Sequence, residues 1–169
     1  MIRVVVADDE ALVRAGVRAV VTAQGDIEVV GEAGDGPEAV RLVGRLLPDV
    51  VLLDVRMPGG DGLDAAARIR RSHPETAVVM LTLFDEDAYV SAALDDGVSG
   101  FLLKTGDPEE LLTGVRAAAE GGAFLSPKVA RRVVDLIGSR AEAPPPGPGS
   151  GWPRSASGSA RCCPWWERD

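Results

Sequence analysis

The chain has 169 residues, 46% of them hydrophobic, which suits one folded domain with a substantial core and an extension. The whole chain has 18 basic and 26 acidic residues, a net charge of −8. Residues 139–169 hold four of the bases and three of the acids, so residues 1–138 hold 14 bases and 23 acids, a net charge of −9. Such an acidic domain is a poor non-specific binder of nucleic acid or anionic membrane. No apolar run has transmembrane length and the N-terminus does not resemble a signal peptide, so we expect a cytoplasmic protein without membrane contacts. The only cysteines, Cys162 and Cys163, are adjacent, so we expect no disulfide framework.

Five short apolar runs alternate with amphipathic patterns in the first 121 residues. The predicted strands are Ile2–Ala7, Ile27–Gly31, Val50–Leu53, Ala77–Leu83 and Phe101–Leu103. The predicted helices lie between Leu12 and Gly25, Asp35 and Pro48, Asp61 and Pro74, Glu86 and Asp95, and Asp107 and Gly121. Asp35 with Glu38 three residues later, and Asp107 followed by Pro108, are typical helix starts.

This alternation predicts an α/β fold with a parallel sheet and helices on both faces. Right-handed crossovers leave few topologies, and a flavodoxin-like, doubly wound five-stranded sheet of order 2-1-3-4-5 suits this length. A sixth amphipathic helix begins at Ser126 and Pro127, and we expect it to lie beyond the sheet and to contact a partner or another domain. From Ala141 the chain is rich in Pro, Gly and Ser without periodicity, which predicts a disordered tail.

Polar side chains follow four of the predicted strands. In chain order they are Asp8 and Asp9, Asp54, Thr82, and Lys104. The carboxyl ends of neighbouring parallel strands meet at one edge of a sheet, so we expect these side chains to lie close together. Carboxylates without His or Cys select a hard cation, Mg²⁺ or alternatively Mn²⁺. With an ammonium opposite the metal, the site suits a phosphoryl group on Asp54, a carboxylate nucleophile.

Each of these residues also has a purely structural interpretation. Asp8, Asp9 and Asp61 are suitable residues for helix N-termini. Thr82 by itself is an ordinary β-branched strand residue, and Phe101 by itself is most simply a core residue. The combination of acids and lysine at matching strand ends is what favours a functional site.

Four motifs together resemble the receiver domain of bacterial two-component response regulators. They are Ala7-Asp8-Asp9-Glu10, Leu53-Asp54-Val55-Arg56-Met57-Pro58 with Asp61-Gly62, Leu81-Thr82, and Phe101-Leu102-Leu103-Lys104. The resemblance spans residues 1–121 and implies the CheY-like form of the predicted fold. It also implies that Asp54 accepts a phosphoryl group from a sensor histidine kinase, with a homodimer on phosphorylation as a further expectation.

The resemblance assigns roles to the other site residues. The implied metal ligands for Mg²⁺ are Asp9, Asp54 and the backbone carbonyl of Arg56, with Asp8 assisting through water. Thr82 and Phe101 match the family's switch pair, in which phosphorylation draws in the threonine and lets the aromatic ring turn inward. Lys104 matches the family's lysine. Thr105 stands where many receivers have Pro, which leaves open whether the Lys104–Thr105 peptide is cis.

The segment from Gly121 to Arg131 resembles the end of the receiver in NarL/FixJ regulators, which continue into a LuxR-type helix-turn-helix that binds DNA. We therefore divide the chain into a receiver domain (1–121), a linker helix (122–140) and a disordered tail (141–169) in place of that domain. DNA binding is expected for the full-length family but not for this chain. A frameshift would explain the tail, because one choice of GC-rich codons for residues 157–167 encodes a helix-turn-helix-like peptide in a shifted frame.

Three functions remain open from the sequence: a transcriptional response regulator, a stand-alone receiver that acts by protein contact or carries phosphate, and a Mg²⁺-dependent phosphatase or phosphotransferase. The last is disfavoured because Asp54-Val55-Arg56 lacks a second carboxylate two residues after the nucleophile. The P-loop and Rossmann glycine patterns are also missing from the sequence. We expect a signalling protein rather than an enzyme.

Overall fold

The computed structural model describes residues 1–57, 60–82 and 97–141, without the side chains of residues 60–61 and 136–141. The strands are β1 (Ile2–Ala7), β2 (Ile27–Ala33), β3 (Val50–Asp54), β4 (Arg56–Met57), β5 (Gly60–Asp61), β6 (Ala77–Thr82), β7 (Gly100–Leu103) and β8 (Phe124–Leu125). The helices are α1 (Ala11–Thr22), α2 (Gly36–Leu46), α3 (Gly62–Ser72), α4 (Pro108–Ala119) and α5 (Pro127–Ala141). Among them, none is long and apolar enough to cross a membrane.

The main sheet has the order β2-β1-β3-β6-β7-β8, and all its neighbouring strands are parallel. The predicted order 2-1-3-4-5 is confirmed, with β6 and β7 as the fourth and fifth predicted strands. The sheet also has a short sixth strand, β8, that the sequence analysis did not predict. Strands β4 and β5 form a separate antiparallel ribbon. The predicted helix Glu86–Asp95 and the tail after residue 141 lie outside the described residues.

Strand β3 lies at the centre of the fold because both of its faces are covered. Its side chains alternate between two hydrophobic clusters. Val51 and Leu53 belong to the cluster that α2 and α3 cover, while Val50 and Leu52 belong to the cluster that α1 and α4 cover. All four side chains are fully buried. Burial on both sides explains the uninterrupted apolar run in the sequence.

Two helix starts follow the predicted capping chemistry. The carboxylate of Asp35 accepts a hydrogen bond from the Glu38 N–H at 2.7 Å, and Glu38 accepts one from the Gly34 N–H at 3.0 Å. The carboxylate of Asp107 accepts from the Glu109 N–H at 2.9 Å. These caps satisfy backbone donors that would otherwise have no partner within the helix.

Strand β8 and the start of α5 pack against the sheet, contrary to the expectation that the last helix lies beyond it. Leu125 of β8 pairs with Phe101 of β7, and Val129 in the first turn of α5 is only 2% exposed, within the same core cluster as Phe101. The carbonyl of Ser126 accepts the Ala130 N–H at 2.9 Å, as an N-cap carbonyl does. Its buried hydroxyl has no hydrogen-bond partner, so the side chain does not act as the predicted cap.

Candidate functional site

The topology brings the polar strand ends together as the sequence predicts. Asp8 follows β1, Asp54 ends β3, Thr82 ends β6 and Lys104 follows β7, and these four strands are consecutive neighbours in the sheet. The register pairs Asp54 with Leu81 and Thr82 with Leu103. The four side chains therefore lie at the carboxyl edge of the sheet, where ligands bind in open α/β folds.

Lys104 forms a buried ion triad with two of the carboxylates. Its Nζ lies 2.7 Å from Asp8 Oδ2 and 2.9 Å from Asp54 Oδ2. The side chains of Lys104 and Asp54 are each 7% exposed, and that of Asp8 is fully buried. Two buried carboxylates share one ammonium group, so the triad carries an excess negative charge.

The pKa shifts reflect this imbalance. Burial alone would lower the pKa of Lys104, but its hydrogen bonds to Asp8 and Asp54 prevail, and its pKa is raised. Burial raises the pKa of Asp54 above its usual value, against the opposing effect of Lys104. The lysine is therefore a stable cation, whereas one shared lysine does not fully offset the desolvation of the Asp54 carboxylate. A second cation beside Asp54 would supply the missing charge.

An acidic loop follows β1, formed by Asp8, Asp9 and Glu10. Carboxylate oxygens of these three residues lie within 4.8 Å of one another. Asp8 Oδ1 accepts the Glu10 N–H at 2.9 Å, and Asp8 Oδ2 lies 2.7 Å from the Nζ of Lys104. An all-oxygen donor set with excess negative charge fits Mg²⁺.

The backbone around Asp54 is tightly arranged. The Arg56 N–H donates to the Asp54 carboxylate, and the Gly62 N–H donates to the Val55 carbonyl at 2.9 Å. A Cβ atom at Gly62 would collide with the Asp54 carbonyl oxygen, so only glycine fits there without a shift. The described residues contain no cis peptide bond, so the Lys104–Thr105 bond is trans.

The two residues of the predicted switch pair are both buried. Thr82 is 4% exposed at the end of β6, and Phe101 is fully buried in the core cluster that contains Met80 and Val129. The family resemblance implies that Phe101 turns inward on phosphorylation, but in this structure the ring already lies inside.

Sequence reasoning gave no role to two residues at the site. Glu10 contributes a carboxylate to the acidic loop, and its position directly after Asp9 was the available signal. Arg14 donates from Nη1 to the carbonyls of Asp8 and Asp9 at 2.6 Å and 3.3 Å. Its only signal in the sequence was its distance of one helical turn from Glu10.

A doubly wound sheet of this order, with acids after β1 and β3 and a lysine after β7, defines the receiver class of signalling domains. The family model described as "Response regulator receiver domain" matches residues 4–116. The chain therefore belongs to the response regulator receiver family, which supports phosphorylation-dependent signalling in a two-component system.

Two similar proteins of known sequence are named as transcriptional regulators, and this chain matches part of each of them. The uncharacterized transcriptional regulatory protein YxjL of Bacillus subtilis is 45% identical over 133 residues, covering 79% of this chain and 61% of that protein. The transcriptional regulatory protein LiaR of the same species is 42% identical over 137 residues, covering 81% of this chain and 65% of LiaR. The chain thus spans less than two thirds of the length of these relatives.

Solved structures give the same class. The receiver domain of the putative response regulator NarL from Mycobacterium tuberculosis is 45% identical with a TM-score of 0.68, covering 71% of this chain and 97% of that one. A LuxR-family two-component response regulator from Aurantimonas sp. is 31% identical with a TM-score of 0.77, covering 84% of this chain and 99% of that one. The isolated receiver domain of RcsB from Salmonella enterica, solved with the phosphomimetic BeF₃⁻, is 31% identical with a TM-score of 0.72, covering 78% of this chain and 97% of that one. The family resemblance inferred from the sequence, including its NarL and LuxR-type relatives, is confirmed.

Proposed function

We propose that Asp54 accepts a phosphoryl group from a sensor histidine kinase in a Mg²⁺-dependent step, and that the phosphate switches a protein-interaction surface. The observation that carries this proposal is the buried triad of Asp8, Lys104 and Asp54 at the carboxyl edge of the sheet. The buried Asp54 carboxylate is only partly compensated by Lys104, so a metal ion beside it would stabilise its charge during phosphoryl transfer.

In the proposed step, a carboxylate oxygen of Asp54 attacks the phosphorus of a phosphohistidine. A P–O bond forms, the P–N bond breaks, and the electron pair leaves with the imidazole nitrogen. Lys104, already beside Oδ2 of Asp54, provides a fixed positive charge for the phosphoryl oxygens as negative charge shifts onto them. The Thr82 hydroxyl is a donor for one of those oxygens after transfer.

We assign the Mg²⁺ site to Asp8, Asp9, Asp54 and the backbone carbonyl of Arg56, with Mn²⁺ as a substitute. A bound divalent ion would stabilise the charge on the transferring phosphoryl group. Glu10 lies in one cluster of carboxylates with Asp8 and Asp9 and adds to its negative potential. The support is the all-oxygen donor set of the acidic loop, together with the excess negative charge of the triad beside it.

The phosphorylated state would be read through protein contacts. We propose Thr82 and Phe101 as the switch residues, with a homodimer as one outcome of phosphorylation. In a transcriptional regulator these changes control an output domain that binds DNA, and both B. subtilis relatives are named as transcriptional regulators. A receiver that only carries phosphate to another protein is the alternative, and in either case the kinase partner would place the chain in the cytoplasm.

Phosphorylation by a small donor tests the chemistry. Incubation with acetyl phosphate and Mg²⁺ should add the mass of one phosphoryl group, and chelation of the metal should prevent it. Asp54→Asn should abolish the gain in mass. Asp35→Asn is the matched control, because Asn caps a helix about as well as Asp and Asp35 caps α2. Phosphate retained by the Asp54→Asn protein would refute the assignment.

The same preparation separates a regulator from an enzyme. A regulator is modified once per chain and then loses the phosphate by hydrolysis. Continuous release of phosphate from an added phosphomonoester, at a rate that depends on Asp54, would instead support the phosphatase alternative.

A further inference from the structure

The acidic loop after β1 is held partly by its own hydrogen bond, from the Glu10 N–H to Asp8 Oδ1 at 2.9 Å, and partly by contacts with other elements. Its three carboxylates lie close enough to repel one another. Glu10 occupies the N-cap position of α1 without a side-chain capping hydrogen bond. The Asp8 N–H is tied to the Ala33 carbonyl at 3.1 Å, which fixes the start of the loop.

Arg14 supplies a further constraint from one turn into α1. Its Nη1 lies 2.6 Å from the Asp8 carbonyl oxygen and 3.3 Å from the Asp9 carbonyl oxygen. One cationic NH₂ group therefore bridges two successive carbonyls of the loop. Hydrogen bonds from a charged donor are stronger than neutral ones, and the shorter of the two, to the Asp8 carbonyl, is partly buried.

Glu32 of β2 lies beside the Arg14 guanidinium and offsets part of its charge. Oε2 of Glu32 lies 3.7 Å from Arg14 Nε, while its Oε1 accepts a hydrogen bond from Arg18 Nη1 at 2.8 Å. Arg18 shares this acidic partner and the same helix. Among the described residues its side chain is hydrogen-bonded to Glu32 and not to a carbonyl of the acidic loop, which makes it a matched control for Arg14.

We propose that Arg14 is a positioning residue for the Mg²⁺ site: it holds the Asp8 and Asp9 carbonyls so that both carboxylates face the ion. This inference rests on the proposed metal-dependent phosphorylation of Asp54. Two effects of Arg14 oppose each other, because its positive charge repels a nearby divalent ion while its hydrogen bonds fix the ligands. The positioning effect dominates, since the charge is directed at two carbonyls and paired with Glu32. Mutating a residue that hydrogen-bonds to the metal ligands, without touching the metal itself, typically weakens metal binding by about 10- to 100-fold.

Direct Mg²⁺ binding tests this without using phosphorylation. Isothermal titration of the full chain with MgCl₂ should show the dissociation constant of Arg14→Met rising about 10-fold over that of the wild type. Arg18→Met should stay within about twofold of the wild type, by the same scale. Arg14→Lys, which keeps a cationic donor on a slightly shorter stem, should recover at least half of the lost binding free energy. Circular dichroism and urea unfolding should show that all four proteins are folded at the temperature of the titration.

Three results would overturn the proposal: unchanged affinity in Arg14→Met, tighter binding in Arg14→Met, or equal weakening in Arg18→Met. Tighter binding would show that charge repulsion outweighs positioning. The failure of the proposed function looks different, because then the wild type itself would bind no Mg²⁺ or take no phosphate on Asp54. A wild type that passes both tests, beside an Arg14→Met protein with normal affinity, would refute only the role of Arg14.

Discussion

Gly62 packs so closely against the backbone of Asp54 that adding one methyl group there should disturb the site. The same addition elsewhere in a helix should only change helix stability. Gly62 is the first residue of α3, and its N–H donates to the Val55 carbonyl at 2.9 Å. A Cβ atom there would overlap the carbonyl oxygen of Asp54 and lie 2.9 Å from that of Val55. Both obstacles are backbone atoms of the segment that carries the phosphoacceptor, so no side chain can move aside to relieve the clash.

The expected cost of Gly62→Ala follows from two opposing effects. Overpacking a well-packed interior costs about 1–3 kcal/mol. Alanine in place of glycine gains at most about 1 kcal/mol within a helix, and less at its first position. Gly62 does not have a left-handed φ, so backbone strain adds nothing to the balance. We expect a net loss of about 1–2 kcal/mol in the free energy of unfolding, with slower phosphorylation of the displaced Asp54.

Gly16 provides the control, because it also lies in a helix but a Cβ atom there would meet nothing within 4 Å. Gly16→Ala should therefore stabilise the protein by up to about 1 kcal/mol. Urea unfolding followed by circular dichroism gives both stabilities, and the rate of modification by acetyl phosphate gives the effect on the site. If Gly62→Ala is as stable as Gly16→Ala and is phosphorylated at the wild-type rate, the steric argument is wrong.

Three further changes test other parts of the structure. Lys104→Met leaves two buried carboxylates without their cation and should cost about 3–5 kcal/mol in urea unfolding, part of which added Mg²⁺ should restore. Phe101→Ala removes a fully buried ring and should cost about 3–5 kcal/mol by the same measurement; a loss below 1 kcal/mol would contradict its place in the core. A hydrogen bond from Arg116 lowers the pKa of Asp26, so this pair contributes stability above the unfolded-state pKa of Asp26 and loses it as the pH falls through the folded-state value. Arg116→Leu should raise the pKa of Asp26 in an NMR titration, and an unchanged pKa would show that Arg116 is not the cause.

The central part of the fold could be predicted because its signals are local and repeated. The run from Val50 to Leu53 is apolar without alternation since β3 is covered on both faces, and the strand ends immediately at Asp54. Once the strand order was inferred, the meeting of Asp54 with Lys104 followed from the geometry of parallel strands, because corresponding ends lie at one edge.

Other features could not be predicted because they depend on tertiary contacts between short or ambiguous segments. Strand β8 has only two residues, too few for a periodic pattern, and it forms because Phe124 and Leu125 can pair with the edge of β7. Ser126 has the sequence signature of an N-cap, but its backbone N–H is bonded to the Phe101 carbonyl and its hydroxyl is buried without a partner. The contacts of Arg14 with the acidic loop depend on the angle at which α1 leaves β1.

The position of Phe101 changes the interpretation of how a signal could leave the domain. The family resemblance implied a ring that turns inward on phosphorylation, but Phe101 is already buried, and its backbone carbonyl accepts the Ser126 N–H at 3.0 Å. It shares a core cluster with Val129 of α5 and is paired through β7 with Leu125 of β8. A close-packed interior cannot absorb a side-chain rearrangement locally. A movement of Phe101 that follows from Thr82 would therefore disturb the core cluster that Phe101 shares with Val129, which offers one route from the proposed switch pair to α5.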